Sequence, residues 1–195
     1  YVIPMDGDGE DRPEEIKLLI EKAKEYPDTV ITADRVKRYE GFIFKFCYLI
    51  HKNLTYIFTG QSIKFGNYTC LPKSAVVWMV EEAATWSSFS GSLSKIAEER
   101  KSVPSIRGER YFGPSKMSFF NLLKHSLSII SVFKFTVLIR SIIFLAVYLF
   151  LMMQHISVIT LIPAVLIILM NISVFALSGR ENITELNNSL ENTNN

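Results

Sequence analysis

From Ser141 to Gly179 the chain carries no Asp, Glu, Lys or Arg, and His155 is the only side chain there able to take a charge. At about 1.5 Å of helical rise per residue, against a hydrocarbon core of about 30 Å, that run is long enough to cross a bilayer twice. Gln154, His155, Ile156 and Ser157 interrupt it and read as a turn, so the spans are expected at about residues 137–153 and 158–177. Pro163 falls near the start of the second span, where it disturbs a helix least. Arg140 sits at the edge of the first and is expected to snorkel to the interface. Two crossings return the tail to the side of the preceding residues, and Lys124, Lys134 and Arg140 mark that side as cytoplasmic. The tail is rich in Asn and is expected to be disordered.

The residues ahead of the spans read as mixed globular sequence. Tyr1-Val2-Ile3-Pro4-Met5 looks like the end of a buried strand, and a chain that opens this way is expected to be a fragment. Asp6 to Asp11 is an acidic turn broken by glycine. Asp11 as N-cap, Pro13 in the first turn and Glu14 as the capping-box partner signal a helix. Its inner face is Ile16, Leu19, Ile20 and Ala23 at helical spacing. Thr29 to Ala33 has the β-branched content of a short buried strand. Strand, helix and strand in this order predict an α/β unit. Beyond it, helices are expected at about 42–58 and 72–86, with a turn at 60–66 and a polar loop or helix start at 87–94.

Between Arg100 and Arg140, eight Lys or Arg residues face one acid, Glu109. Within that stretch, residues 115–133 set Phe119, Phe120, Leu122, Leu123, Leu127 and Ile130 around Lys124. A basic amphipathic helix of this type suits an anionic membrane surface. Cys47 and Cys70 lack metal or redox spacing and read as free thiols, and the three histidines are too scattered for a zinc site.

Asp6 and Asp8 are the sharpest chemical feature. Two carboxylates two residues apart at a strand end point the same way and suit a hard divalent cation. Such a cation neutralises a diphosphate leaving group. By itself the pattern is common in surface turns.

The context is more specific. An apolar segment, then Asp6-Gly7-Asp8-Gly9-Glu10-Asp11-Arg12-Pro13-Glu14, resembles the Asp-Ala-Asp-Leu-Gln-Asp-Pro-Pro-Glu segment of family 2 glycosyltransferases. Downstream, Arg110-Tyr111-Phe112-Gly113-Pro114-Ser115-Lys116 resembles the Arg-x-x-Gly-x-Ser-Lys motif of the polyprenyl-phosphate, dolichol-phosphate mannose synthase-like members. In those proteins it leads into amphipathic helices and membrane spans. The resemblance implies the C-terminal part of a Rossmann-like GT-A domain at 1–114, an amphipathic juxtamembrane helix at 115–134, two transmembrane helices at 137–178 and a tail at 179–195.

It also implies a metal-dependent, inverting transfer of a hexose from a nucleotide sugar (GDP- or UDP-linked) to a polyprenyl phosphate. The setting would be the cytoplasmic face of a multi-pass inner or plasma membrane, in cell-envelope glycan or glycolipid synthesis. Asp6, Asp8 and Glu10 would hold Mg²⁺ or Mn²⁺, with Asp8 central to catalysis. Arg110, Ser115 and Lys116 would bind the acceptor phosphate, and Arg35 and Arg38 would contact phosphates. Membrane lipids are expected partners and nucleic acid is not; a homo-oligomer is compatible with the pattern.

Two departures stand out. Glu10 replaces the family's Gln, and Gly66-Asn67-Tyr68 has Asn where the family has Gly-Asp-Phe. Nothing matches the nucleotide-binding first half, so the chain alone is expected to be inactive. A saccharide or other lipid acceptor on the same fold, and a membrane-anchored scaffold without catalysis, remain alternatives.

Overall fold

The computed structural model describes residues 1–37, 42–111, 113, 119–179 and 181–193. Its sheet is built on Val30–Lys37 (β1), the most apolar strand at its start. Phe65–Cys70 (β2) pairs antiparallel on one side, and Arg100–Ile106 (β3) pairs parallel on the other. Ile31 lies opposite both Cys70 and Lys101 and is fully buried. Beside β2, Val2 forms one antiparallel bridge to Leu71, with N–H···O bonds of 2.9 and 2.8 Å. The expected buried strand at Tyr1–Met5 is therefore a single bridge at the sheet edge, and Val2 is 50% exposed.

Strand alternation divides the core. Ile31 and Ala33 pack with Tyr68, Cys70 and Val103 under Leu19 and Ala23 of Ile16–Glu25 (α1). Val30 and Phe65 pack instead with Leu71, Ala75, Met79 and Leu93. The last three belong to Lys73–Glu81 (α3) and Phe89–Ile96 (α4), which follow Phe42–Thr59 (α2) in the chain. Parallel pairing needs a crossover, and here it runs through α2, β2, α3 and α4 between β1 and β3. The α/β expectation holds as a mixed fold with a three-stranded sheet.

Several local expectations change. Asp11 does not cap the first helix: its carboxylate accepts the Asp6 N–H at 3.0 Å. The helix opens instead with a 3₁₀ turn at Pro13–Glu15 whose cap residue, Arg12, makes no side-chain cap bond. The capping-box role given to Glu14 is not seen, and Glu15 is the buried carboxylate. The turn expected at 60–66 ends earlier, because Phe65 and Gly66 already belong to β2. The helix expected at 72–86 is α3 followed by a 3₁₀ turn at Ala83–Trp86.

Phe119–Ser131 (α5) leads to the two apolar helices, Lys134–Met152 (α6) and Val158–Ser178 (α7). These have mean hydropathies of 2.3 and 2.6 and are long enough to cross a membrane. Ser157 and Thr160 form a capping box at the start of α7. Asn171 on α7 donates to Ser141 Oγ on α6 at 2.8 Å, tying the pair laterally. Arg140 donates to the Ile57 carbonyl of α2 at 2.9 Å, so it closes the C-terminal end of that helix. Beside it, Phe58 of α2 meets Phe144 of α6 edge-to-face at 5.7 Å. On α5, Ile129 and Ile130 are buried, whereas Phe120 and Leu123 stay exposed.

The tail is a helix, Ile183–Thr193 (α8), and not the disordered segment its composition suggests. Leu186 is buried and shares an apolar groove with Val2, Leu71, Met79, Trp86 and Phe89. Lys134 and Glu181, at 2.7 Å, join the start of α6 to the end of α7.

Candidate functional site

The acidic turn 6–11 is pressed onto the segment 106–111, the last residue of β3 and the five that follow it. Gly108 donates its N–H to the Glu10 carbonyl at 2.8 Å, and Tyr111 donates to the Asp8 carbonyl at 2.9 Å. This approach requires glycine on both sides. Gly9 has φ of 94°, and a Cβ there would stand 2.8 Å from the Glu109 carbonyl oxygen. A Cβ on Gly108 would stand 2.4 Å from the Gly9 carbonyl oxygen. Glu15 Oε1 accepts the Ile106 N–H at 2.9 Å, so the first helix holds the same segment from its other end.

Side chains complete the contact. Glu10 takes Arg107 on Oε2 and Arg110 Nε on Oε1, the latter at 2.6 Å. A terminal nitrogen of Arg110 also lies 3.3 Å from Asp8 Oδ2, while Asp8 Oδ1 accepts the Glu10 N–H at 3.0 Å. Burial pushes the Glu10 carboxyl upward, but hydrogen bonds and charge from Arg110 and Arg107 outweigh it and hold it below its ordinary range. Glu10 in turn raises Arg110 above its usual value. Asp11 behaves oppositely. Its desolvation raises it, offset in part by the Asp6 N–H and by Arg35 at 3.7 Å.

β2 and β1 close the near side of the turn. Asn67 Nδ2 reaches Asp6 Oδ1 at 3.4 Å. Tyr68 donates its hydroxyl to the Arg12 carbonyl at 2.7 Å, and burial followed by the charges of Glu15, Asp11 and Glu14 pushes that phenol up to about 12. Arg35 lies against Gly66, where a Cβ would come within 3.2 Å of its guanidinium.

Of the residues singled out in the sequence, Asp6, Asp8, Glu10, Arg35 and Arg110 are brought together. Arg38, Ser115 and Lys116 lie outside the described residues. Arg107, Asp11 and Glu15 were not singled out as site residues, and the basic run from Arg100 onward was the one signal pointing at Arg107. Among the described residues, no three His, Cys, Asp or Glu side chains gather as a metal cage. Exposed Asp6 and half-buried Asp8 offer carboxylate oxygens suited to a divalent cation, whereas both Glu10 oxygens are engaged by guanidiniums. Cys70 is buried and its thiol is pushed up by desolvation, the state of an inert core cysteine.

No protein-family model matches the chain, and no solved structure matches it. Among characterised proteins, it is similar to the undecaprenyl-phosphate 4-deoxy-4-formamido-L-arabinose transferase of Klebsiella pneumoniae (strain 342). The two are 30% identical over 126 residues, which make up 63% of this chain and 38% of that protein. The chain therefore aligns with well under half of a relative that is named as a transferase of a sugar derivative and undecaprenyl phosphate.

Proposed function

We propose that this chain supplies part of the catalytic domain and the membrane anchor of a GT-A sugar transferase that moves a hexose from a nucleotide sugar to a polyprenyl phosphate at the cytoplasmic membrane face. The carrying observation is the contact between the acidic turn and Arg110, on a segment close in sequence to helices long enough to enter a bilayer. The distant likeness to an undecaprenyl-phosphate sugar transferase supports the same reading. In it, residues 1–114 belong to the catalytic domain, 115–134 to the juxtamembrane element, 137–178 to the anchor and 179–195 to the tail.

Asp6 and Asp8 would hold Mg²⁺ or Mn²⁺. When bound, that cation supplies positive charge to a departing diphosphate. The protein's own groups do the rest. Arg110, with Ser115 and Lys116 of the same motif, fixes the acceptor phosphate through charge and N–H donors beside the lipid surface. Arg35 and Arg38 would contact phosphates. An acceptor phosphate oxygen attacks the anomeric carbon from the face opposite the diphosphate, so one C–O bond forms as another breaks and the centre inverts. The nucleophile is already anionic, and no strong general base is needed.

The test uses the complete gene product with nucleotide sugars and a polyprenyl phosphate. The expected product partitions into organic solvent and releases sugar in mild acid. Asp8→Asn should lower divalent-dependent transfer by roughly a hundredfold or more, the scale seen when a group stabilising transition-state charge is removed. Full activity in that variant would end the assignment of Asp8. Transfer to a saccharide or to another lipid would replace the acceptor, and no transfer at all would favour a scaffold.

A further inference from the structure

We infer that Glu10 is a positioning residue for Arg110, shared with Arg107, and not a third cation ligand beside Asp6 and Asp8. What Arg110 does rests on the transferase reading above; where Glu10 is held does not. Each Glu10 oxygen faces a different guanidinium, Oε2 facing Arg107 and Oε1 facing Arg110 Nε at 2.6 Å. Two guanidiniums at hydrogen-bond distance also place two positive charges where a dication would have to meet this carboxylate. The geometry is fixed by backbone as well as by charge. Gly108 bonds the Glu10 carbonyl, and the close passage of Gly9 and Gly108 leaves no slack between the two segments.

Arg110 is consequently oriented from two sides, by Glu10 at Nε and by Asp8 at a terminal nitrogen. A guanidinium has five N–H donors, and these contacts engage only Nε and one terminal nitrogen. Its side chain is 29% exposed, so a phosphate oxygen can reach the remaining donors. If a cation takes Asp8, Glu10 and Arg107 still hold Arg110 in place for an acceptor phosphate. The sequence fits this division of labour. Where the resembling motif has Gln, with one acceptor oxygen and no charge, this chain has a carboxylate able to serve two guanidiniums.

The experiment measures Mn²⁺ binding directly, by electron paramagnetic resonance of the free ion, on the complete gene product in detergent. Transfer kinetics are measured separately against the nucleotide sugar and the polyprenyl phosphate. Glu10→Ala is expected to bind Mn²⁺ within about twofold of the parent while Asp8→Ala loses roughly tenfold or more. Glu10→Ala should also raise the acceptor KM by about tenfold with the donor KM within about twofold, and Glu10→Gln should fall between. Loss of Mn²⁺ in Glu10→Ala as large as in Asp8→Ala would overturn the inference, as would equal rises in both KM values. Should Glu10→Ala fail to fold, Arg107→Gln keeps every carboxylate and tests the same point. It should raise the acceptor KM by about threefold or more at unchanged Mn²⁺ affinity, and an unchanged KM overturns the proposal. Absence of transfer by the parent protein would remove the transferase reading alone, because the Mn²⁺ titration still decides the role of Glu10.

Discussion

Gly9 shows how little freedom the acidic turn has. Its φ of 94° lies where side chains are rarely tolerated, and the Glu109 carbonyl occupies the space a Cβ would need. Gly9→Ala is expected to cost about 1–3 kcal/mol, the range for a residue forced into a sparsely populated region. Thermal unfolding in detergent reads this, and an unchanged midpoint would mean the turn is held otherwise. Glu10 makes a second prediction. Its folded carboxyl titrates below the ordinary value of 4.5, so the unfolded chain takes up the proton first. Its contribution is complete above pH 4.5 and is lost as pH falls through the lower, folded range. The midpoint difference between the parent and Glu10→Gln should therefore be largest above pH 4.5 and shrink toward acid. Asp11 has the opposite sign but is common to both proteins, so it cancels in that difference. At this scale Asp6 and Asp8 could be read from local spacing, and Glu10 and Arg110 from motifs that resemble those of family 2 glycosyltransferases. Arg107 could not, because it lies outside the 110–116 motif and its tie to Glu10, like that of Arg110, spans about a hundred positions and leaves no local pattern of its own.

The elements differ in how far their sequences announced them. α6 and α7 were legible because hydropathy over a long window does not depend on what packs nearby. β3 was not. No element was expected at Arg100–Ile106, where Arg100, Lys101 and Pro104 break the apolar pattern, yet a strand paired on only one side tolerates both charge and proline. Val103 and Ser105 alternate inward there while Ser102 and Pro104 face out, a pattern too short to stand above its charged surroundings. α8 was hidden by its Asn-rich composition. An isolated 11-residue helix is marginal in water, so its order comes from docking, and Leu186 is its buried side chain among those described. Leu186→Ala should cost about 2–5 kcal/mol if α8 stayed in place, and since a short helix cannot bear that loss, α8 should detach. Hydrogen exchange of residues 183–193 would show it as lost protection, with the sheet unaffected. Retained protection would mean that Glu181 and Lys134 suffice.

The whole molecule couples a small α/β layer to a helical hairpin, with α2 and α5 wedged between through Phe58, Ile130, Val137 and Val174. If the hairpin crosses a bilayer, His155 must face the side opposite Lys134. A cysteine placed at 155 should react with a membrane-impermeant reagent added outside intact cells, and one at 124 only after the membrane is opened; equal labelling would rule out a two-span anchor. The separation along the chain has a further consequence, in time. The four carboxylates of the turn leave the ribosome first, and Arg107 and Arg110 follow about a hundred residues later. At about 5–20 residues per second, that delay is roughly five to twenty seconds. During it the nascent turn lacks the two guanidiniums that engage Glu10 and stays open to any cation near the ribosome. The clasp then closes on residues translated before α6 and α7, so, if those helices enter a bilayer, the contact can form before they do.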